Sequence, residues 1–137
     1  MKLFQNAYIQ IDYDADTKTI MQVSFPESTH MEVTDFKEAF EEASRCVEIH
    51  QPLYYLSDVR QQFFPIGPDL QEWIAQNVYP RWHAAGLRKL AIIIPSELIS
   101  NLSIQQTVDE VNEIRDINSY EIRYFDDIAA AKQWFYN

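Results

Sequence analysis

The run Leu53-Tyr54-Tyr55-Leu56-Ser57-Asp58-Val59 decides how this chain is read, together with the loop Arg60-Gln61-Gln62-Phe63-Phe64-Pro65-Ile66 and the segment Gly67-Pro68-Asp69-Leu70-Gln71-Glu72-Trp73. Its first part is nearly continuous apolar sequence, as a strand buried on both faces should be. Its last part opens a helix, with proline in the first turn, where a missing N–H is tolerated. A strand that passes through a short loop into a helix is one half of a parallel α/β unit. Ligands of open α/β sheets gather where the carboxyl ends of such strands meet the helix starts. Asp58 is the only acidic residue of the strand and stands at that end.

Working outward, residues 4 to 11 and 19 to 25 predict a hairpin. Met21, Val23 and Phe25 alternate with Ile20, Gln22 and Ser24, and Asp14-Ala15-Asp16-Thr17 supplies the turn. Thr34 suits the N-cap of a helix in which Phe36, Phe40, Ala43 and Val47 share a face, and which must stop before Pro52. Beyond the central run, Leu70, Trp73, Ile74 and Val78 form an inner helical face. Pro80 breaks that helix, and a further turn through Trp82 closes at Gly86. Arg88 to Ile94 is a second buried strand, ended by Pro95. Ser103-Ile104-Gln105-Gln106 fits a capping box, with Ile104, Val108 and Val111 on the helical face behind it. Asn118-Ser119 turns the chain into a strand over 120 to 125. Asp126 or Asp127 then caps a last helix whose Ile128, Ala131 and Phe135 face inward. The predicted order is β-β-α-β-α-β-α-β-α. It describes one α/β domain over residues 1–137, with a mixed, mainly parallel sheet, an N-terminal hairpin and about four helices.

Composition narrows the function classes. The net charge of −10 comes from 21 acidic and 11 basic residues. Such a surface repels nucleic-acid phosphates and anionic lipid, so neither is an expected partner. Hydrophobic residues make up 47% of the chain, including three tryptophans, eight tyrosines and eight phenylalanines. That supply builds a core without disulfides or metal and excludes a disordered chain. Cys46 is the single cysteine and cannot form an internal disulfide. Met1-Lys2 leads into no apolar leader, and the longest apolar run, residues 90 to 94, is far too short to span a bilayer. A soluble cytoplasmic protein is the expectation.

Reactive constellations are sparse. With only Gly67 and Gly86, the glycine-rich phosphate loops cannot be built. Asp12, Asp14 and Asp16 begin like a calcium loop, but Thr17 and Val23 occupy the positions that need glycine and glutamate, so a polar turn is the simpler reading. His30, His50 and His83 lie too far apart for a helical metal pair, and His50 suits a helix C-terminus. Ser57 lies inside a strand and Ser96 lacks a glycine-flanked elbow, while Cys46 sits on an amphipathic helix as a small, buried or half-buried thiol. No catalytic residue, metal ligand or cofactor is assigned. The binding candidates are Asp58, Arg60, Phe63, Phe64, Gly67, Asp69 and Trp82, a charged strand end beside an aromatic loop. Arg60 is expected to offer a fork to a carboxylate or phosphate, and the phenylalanines to supply contact area or to tuck into the core.

Three segments carry a family resemblance: residues 54–60, the strand over 87–95, and the closing strand and helix over 120–135. Together they resemble a STAS domain, the fold of anti-sigma-factor antagonists and of sulfate-transporter cytoplasmic domains, and more narrowly the uncharacterised STAS-like or SEC14-like bacterial proteins. The likeness covers the chain from about residue 50 onward and the hairpin more loosely. It implies a non-enzymatic binding or regulatory domain that recognises a protein partner or small ligand at the strand-end loop. Antagonist STAS domains place a phosphorylatable serine or threonine where this chain has residues 65–69, which include no hydroxyl. Asp69 would stand there as a permanent negative charge at a helix start. Two other readings stay open: a receiver-like magnesium phosphoryl site using Asp58 with Asp126 and Asp127, and carriage of a small hydrophobic ligand or lipid beside the loop aromatics. A two-fold homodimer is compatible with all three.

Overall fold

The computed structural model of the chain describes residues 1–62, 64, 66–101 and 120–136. Among the described residues, six strands lie in one sheet in the order in which they occur: β1 (Lys2–Gln5), β2 (Ile9–Asp14), β3 (Thr19–Ser24), β4 (Tyr54–Asp58), β5 (Lys89–Ile93) and β6 (Glu121–Phe125). β1 to β3 pair antiparallel, and β3 to β6 pair parallel. The helices are α1 (Val33–His50), α2 (Pro68–Asn77), α3 (Tyr79–Ala84), α4 (Ser96–Asn101) and α5 (Ile128–Tyr136), with a 3₁₀ turn at Pro26–His30. The fold is α/β with a mixed, mostly parallel sheet, as the periodicities predict.

Three local details differ from expectation. Residues 4 to 11 form the ends of two strands and not one. The Asn6 carboxamide accepts the N–H groups of Tyr8 at 2.8 Å and Ile9 at 2.9 Å, and that side-chain turn reverses the chain after β1. The N-cap of α1 is Glu32, two residues before Thr34. The Glu32 N–H donates to Asp35 Oδ2 at 2.9 Å, so the box closes two residues early. The helix α4, directly after Pro95, was not foreseen. The expected capping box at Ser103, its helical face and the Asn118-Ser119 turn lie outside the described residues.

Side-chain alternation along the parallel strands splits the interior into two layers. On one face Ile11, Ile20, Tyr55, Leu90 and Ile122 pack against Phe36, Ala43 and Val47 of α1, Ile74 of α2, Val78 at the α2–α3 junction and Trp82 of α3. On the other, Leu56, Ala91 and Ile93 meet Ala131 and Phe135 of α5. Lys89 ties α5 down. Its Nζ donates to the Trp134 carbonyl at 2.7 Å, and Lys89 and Arg123 both lie over the indole ring of Trp134. Two polar pairs inside the larger layer join different elements: the Tyr55 hydroxyl donates to Gln22 Oε1, and Trp82 Nε1 donates to Ser44 Oγ at 3.0 Å.

The break between α2 and α3 falls at Val78, just ahead of Pro80, and α3 ends in a Schellman turn. Gly86 N–H donates to the His83 carbonyl at 2.9 Å and Leu87 N–H to that of Trp82 at 3.1 Å, with Gly86 at φ +99°. Space around Gly86 is open, so only its backbone conformation resists a side chain. Gly86→Ala should therefore lower unfolding stability by about 1 kcal/mol, read as a shifted urea midpoint at unchanged slope.

Candidate functional site

Parallel pairing brings four strand ends to one rim, because Val23, Asp58, Ile93 and Phe125 stand in a single row across the sheet. Asp58 follows Leu56 on the α5 side of β4 and is 7% exposed. Beyond it, Val59 N–H donates to the Ile93 carbonyl at 3.0 Å and Gln62 N–H to that of Val59 at 3.1 Å, which makes a tight turn. Within this turn the Asp58 carboxylate is enclosed by Arg60. Oδ1 accepts the Arg60 backbone N–H at 3.2 Å and Nε at 2.9 Å, and Oδ2 accepts Nη2 at 2.7 Å. Donating hydrogen bonds to Asp58 raises the Arg60 pKa above its ordinary value, and the nearby charge of Asp127 acts in the same direction. In the sequence Asp58 and Arg60 stand as two separate binding candidates. They form one closed ion pair, and the guanidinium fork expected to await an anion is filled by this chain's own carboxylate.

Asp127, not Asp126, caps α5. Its two carboxylate oxygens accept the N–H groups of Ala129 and Ala130, each at 3.3 Å. Strand β5 lies between β4 and β6, so Asp58 and the Asp126-Asp127 pair are not on neighbouring strands. Among the described residues, no group of three or more histidine, cysteine, aspartate or glutamate side chains could hold a metal ion.

The aromatic candidates separate. Phe64 is half-buried and stacks on Phe36 of α1, with ring centroids 5.2 Å apart. Phe63 lies outside the described residues. Trp82 is not at the rim. It sits in the core at 2% exposure, with its ring 4.4 Å from that of Tyr55. Its distance from the loop follows from the path of the chain: α2 leaves the carboxyl rim and α3 returns to the start of β5. Gly67 and Asp69 are exposed, Gly67 as the N-cap of α2 and Asp69 in its first turn. One rim contact escaped sequence reading: Ser24 Oγ donates to Gln62 Oε1 at 3.1 Å and pins the turn to the end of β3. Only the placement of both residues beside a strand end hinted at it.

At the opposite rim, His50 closes α1 and its ring lies 4.9 Å from that of Tyr13. Cys46 is buried, and burial is the main cause of its raised thiol pKa. No described helix is long and apolar enough to cross a membrane. Family models, curated proteins and solved structures were compared with the chain, and none matches it.

Proposed function

We propose that this chain is a non-enzymatic, STAS-like binding domain that meets a protein partner at the start of α2. One observation carries the reading. At the carboxyl rim of the sheet, Gly67, Pro68 and Asp69 are exposed, and Asp69 places a fixed negative charge in the first turn of a ten-residue helix. Among the described residues, the groups suited to gripping a small molecule are engaged internally: Asp58 by Arg60, and Phe64 by Phe36. An exposed, charged helix start suits a flat macromolecular contact in which charge sets specificity. The family's phosphorylatable hydroxyl is absent from residues 65–69, so the charge here is permanent and not switched.

The same contacts weigh against the other two readings. A magnesium phosphoryl site needs Asp58 oxygens open to the ion, and both accept hydrogen bonds from Arg60. A hydrophobic carrier would use Phe64 as pocket lining, and that ring packs on the core.

The test compares charge reversals at the two rims. Asp69→Arg should abolish co-purification of the partner that wild-type chain retains from its own cell lysate. Asp16→Arg, an equal charge change in the exposed β2–β3 turn, should retain it. If Asp69→Arg captures the same protein as wild type, α2 is not the contact.

A further inference from the structure

The two edges of the sheet are built differently. The outer strand β1 has four residues, carries Lys2 and shifts register between Lys2 and Phe4. Shortness, an edge lysine and a bulge all discourage a further strand from pairing. β6 is one residue longer, has no lysine and shows no shift of register. Its five residues run in unbroken register along β5, from Lys89↔Glu121 to Ile93↔Phe125. Among the described residues, no strand pairs with its outer edge. Glu121 N–H donates to the Arg88 carbonyl and the Phe125 carbonyl accepts from Ile94, so the odd-numbered residues bond inward and the backbone of Ile122 points outward.

We infer that β6 pairs antiparallel with β6 of a second copy of this chain, across a two-fold axis at Ile122. Side chains opposite one another in an antiparallel pair share a face, so such an axis must pass through a like-with-like residue pair. Centring at Arg123 opposes two arginines, and centring at Glu121 opposes two glutamates. Centring at Ile122 places Glu121 opposite Arg123 of the second copy, twice, on either side of an Ile122–Ile122 hydrogen-bonded pair. Both charged side chains are exposed on the same face, and Glu121 has no ion-pair partner among the described residues. The edge is thus electrostatically complementary to itself in one register. The union joins two sheets into one of twelve strands and leaves the α2 rim of each copy open, so it is independent of the proposed partner contact.

Sedimentation equilibrium of the full chain should show a reversible dimer in the micromolar range, typical of a small interface. Arg123→Glu, which opposes like charges twice, should weaken association about tenfold or more. The swapped double variant Glu121→Arg/Arg123→Glu restores both pairs and should recover the dimer. In the wild type, the Ile122 amide should gain hydrogen-exchange protection as concentration rises, a reading that needs no variant to fold. A wild type monomeric throughout that range, a dimer indifferent to Arg123→Glu, a swap without recovery, or unchanged Ile122 protection in the dimer would each overturn the inference.

Discussion

Trp82→Ala should destabilise the protein by about 4 kcal/mol, the largest single-site effect expected here. The indole is 2% exposed and lies between the rings of Tyr55 at 4.4 Å, Tyr79 at 6.1 Å and Phe40 at 6.4 Å. Truncation removes its burial and leaves a cavity where α1, α3 and β4 meet. It also strips Ser44, which is fully buried, of its indole donor. Trp82→Phe keeps most of the ring contact and loses the N–H, so it should cost about 1–2 kcal/mol. Equilibrium urea unfolding of the three proteins measures both. An alanine variant of wild-type stability that had lost a binding partner would instead make Trp82 a recognition residue.

Arg60→Ala is expected to destabilise by about 2 kcal/mol, and for a different reason. Asp58 is 7% exposed in the intact protein, and removing the guanidinium leaves its carboxylate with only a backbone N–H for a partner. Arg60's own side chain is 41% exposed, and solvent screening keeps the loss below that of a wholly buried pair. The Asp58→Ala/Arg60→Ala double variant should lose less than the sum of the two single ones, because neither charge is then stranded. A double-mutant cycle on urea midpoints gives the coupling energy. Near-zero coupling, with Arg60→Ala as stable as wild type, would mean that the pair is not a structural clasp and that Arg60 is free to serve a ligand.

These two residues also show where sequence reading reached and where it stopped. Leu53 to Val59 identified itself as a central strand, because a nearly continuous apolar run of that length has nowhere to go but between two covered faces. Gly67-Pro68 and Pro80 marked helix boundaries through fixed dihedral and missing-donor effects, which are local. Trp82 was drawn toward the loop because helical spacing records which way a side chain faces its own axis, and not how far the helix has travelled from the preceding strand end. The Asp58–Arg60 clasp depends on the turn that brings residues two apart face to face, and Val59 N–H bonding to Ile93 sets that turn from a strand distant in sequence. Asn6 was missed for a simpler reason. Its side chain imitates a backbone turn, and a pattern that counts only apolar residues does not register it.

Strand order equals chain order throughout this sheet. No strand has to insert between two that are already paired, so the sheet can grow by accretion from its N-terminal hairpin as the polypeptide leaves the ribosome. Each parallel addition waits only for its own crossover to close, and closure entropy rises slowly with the length of that connection. Growth in one direction also means that the advancing border of each intermediate is the strand just added, and among the described residues β6 is the last of these. A kinetic trap in this topology would come from an incomplete sheet pairing with another nascent chain, which makes dilution and early folding of β3 onto β4 the conditions that favour clean assembly.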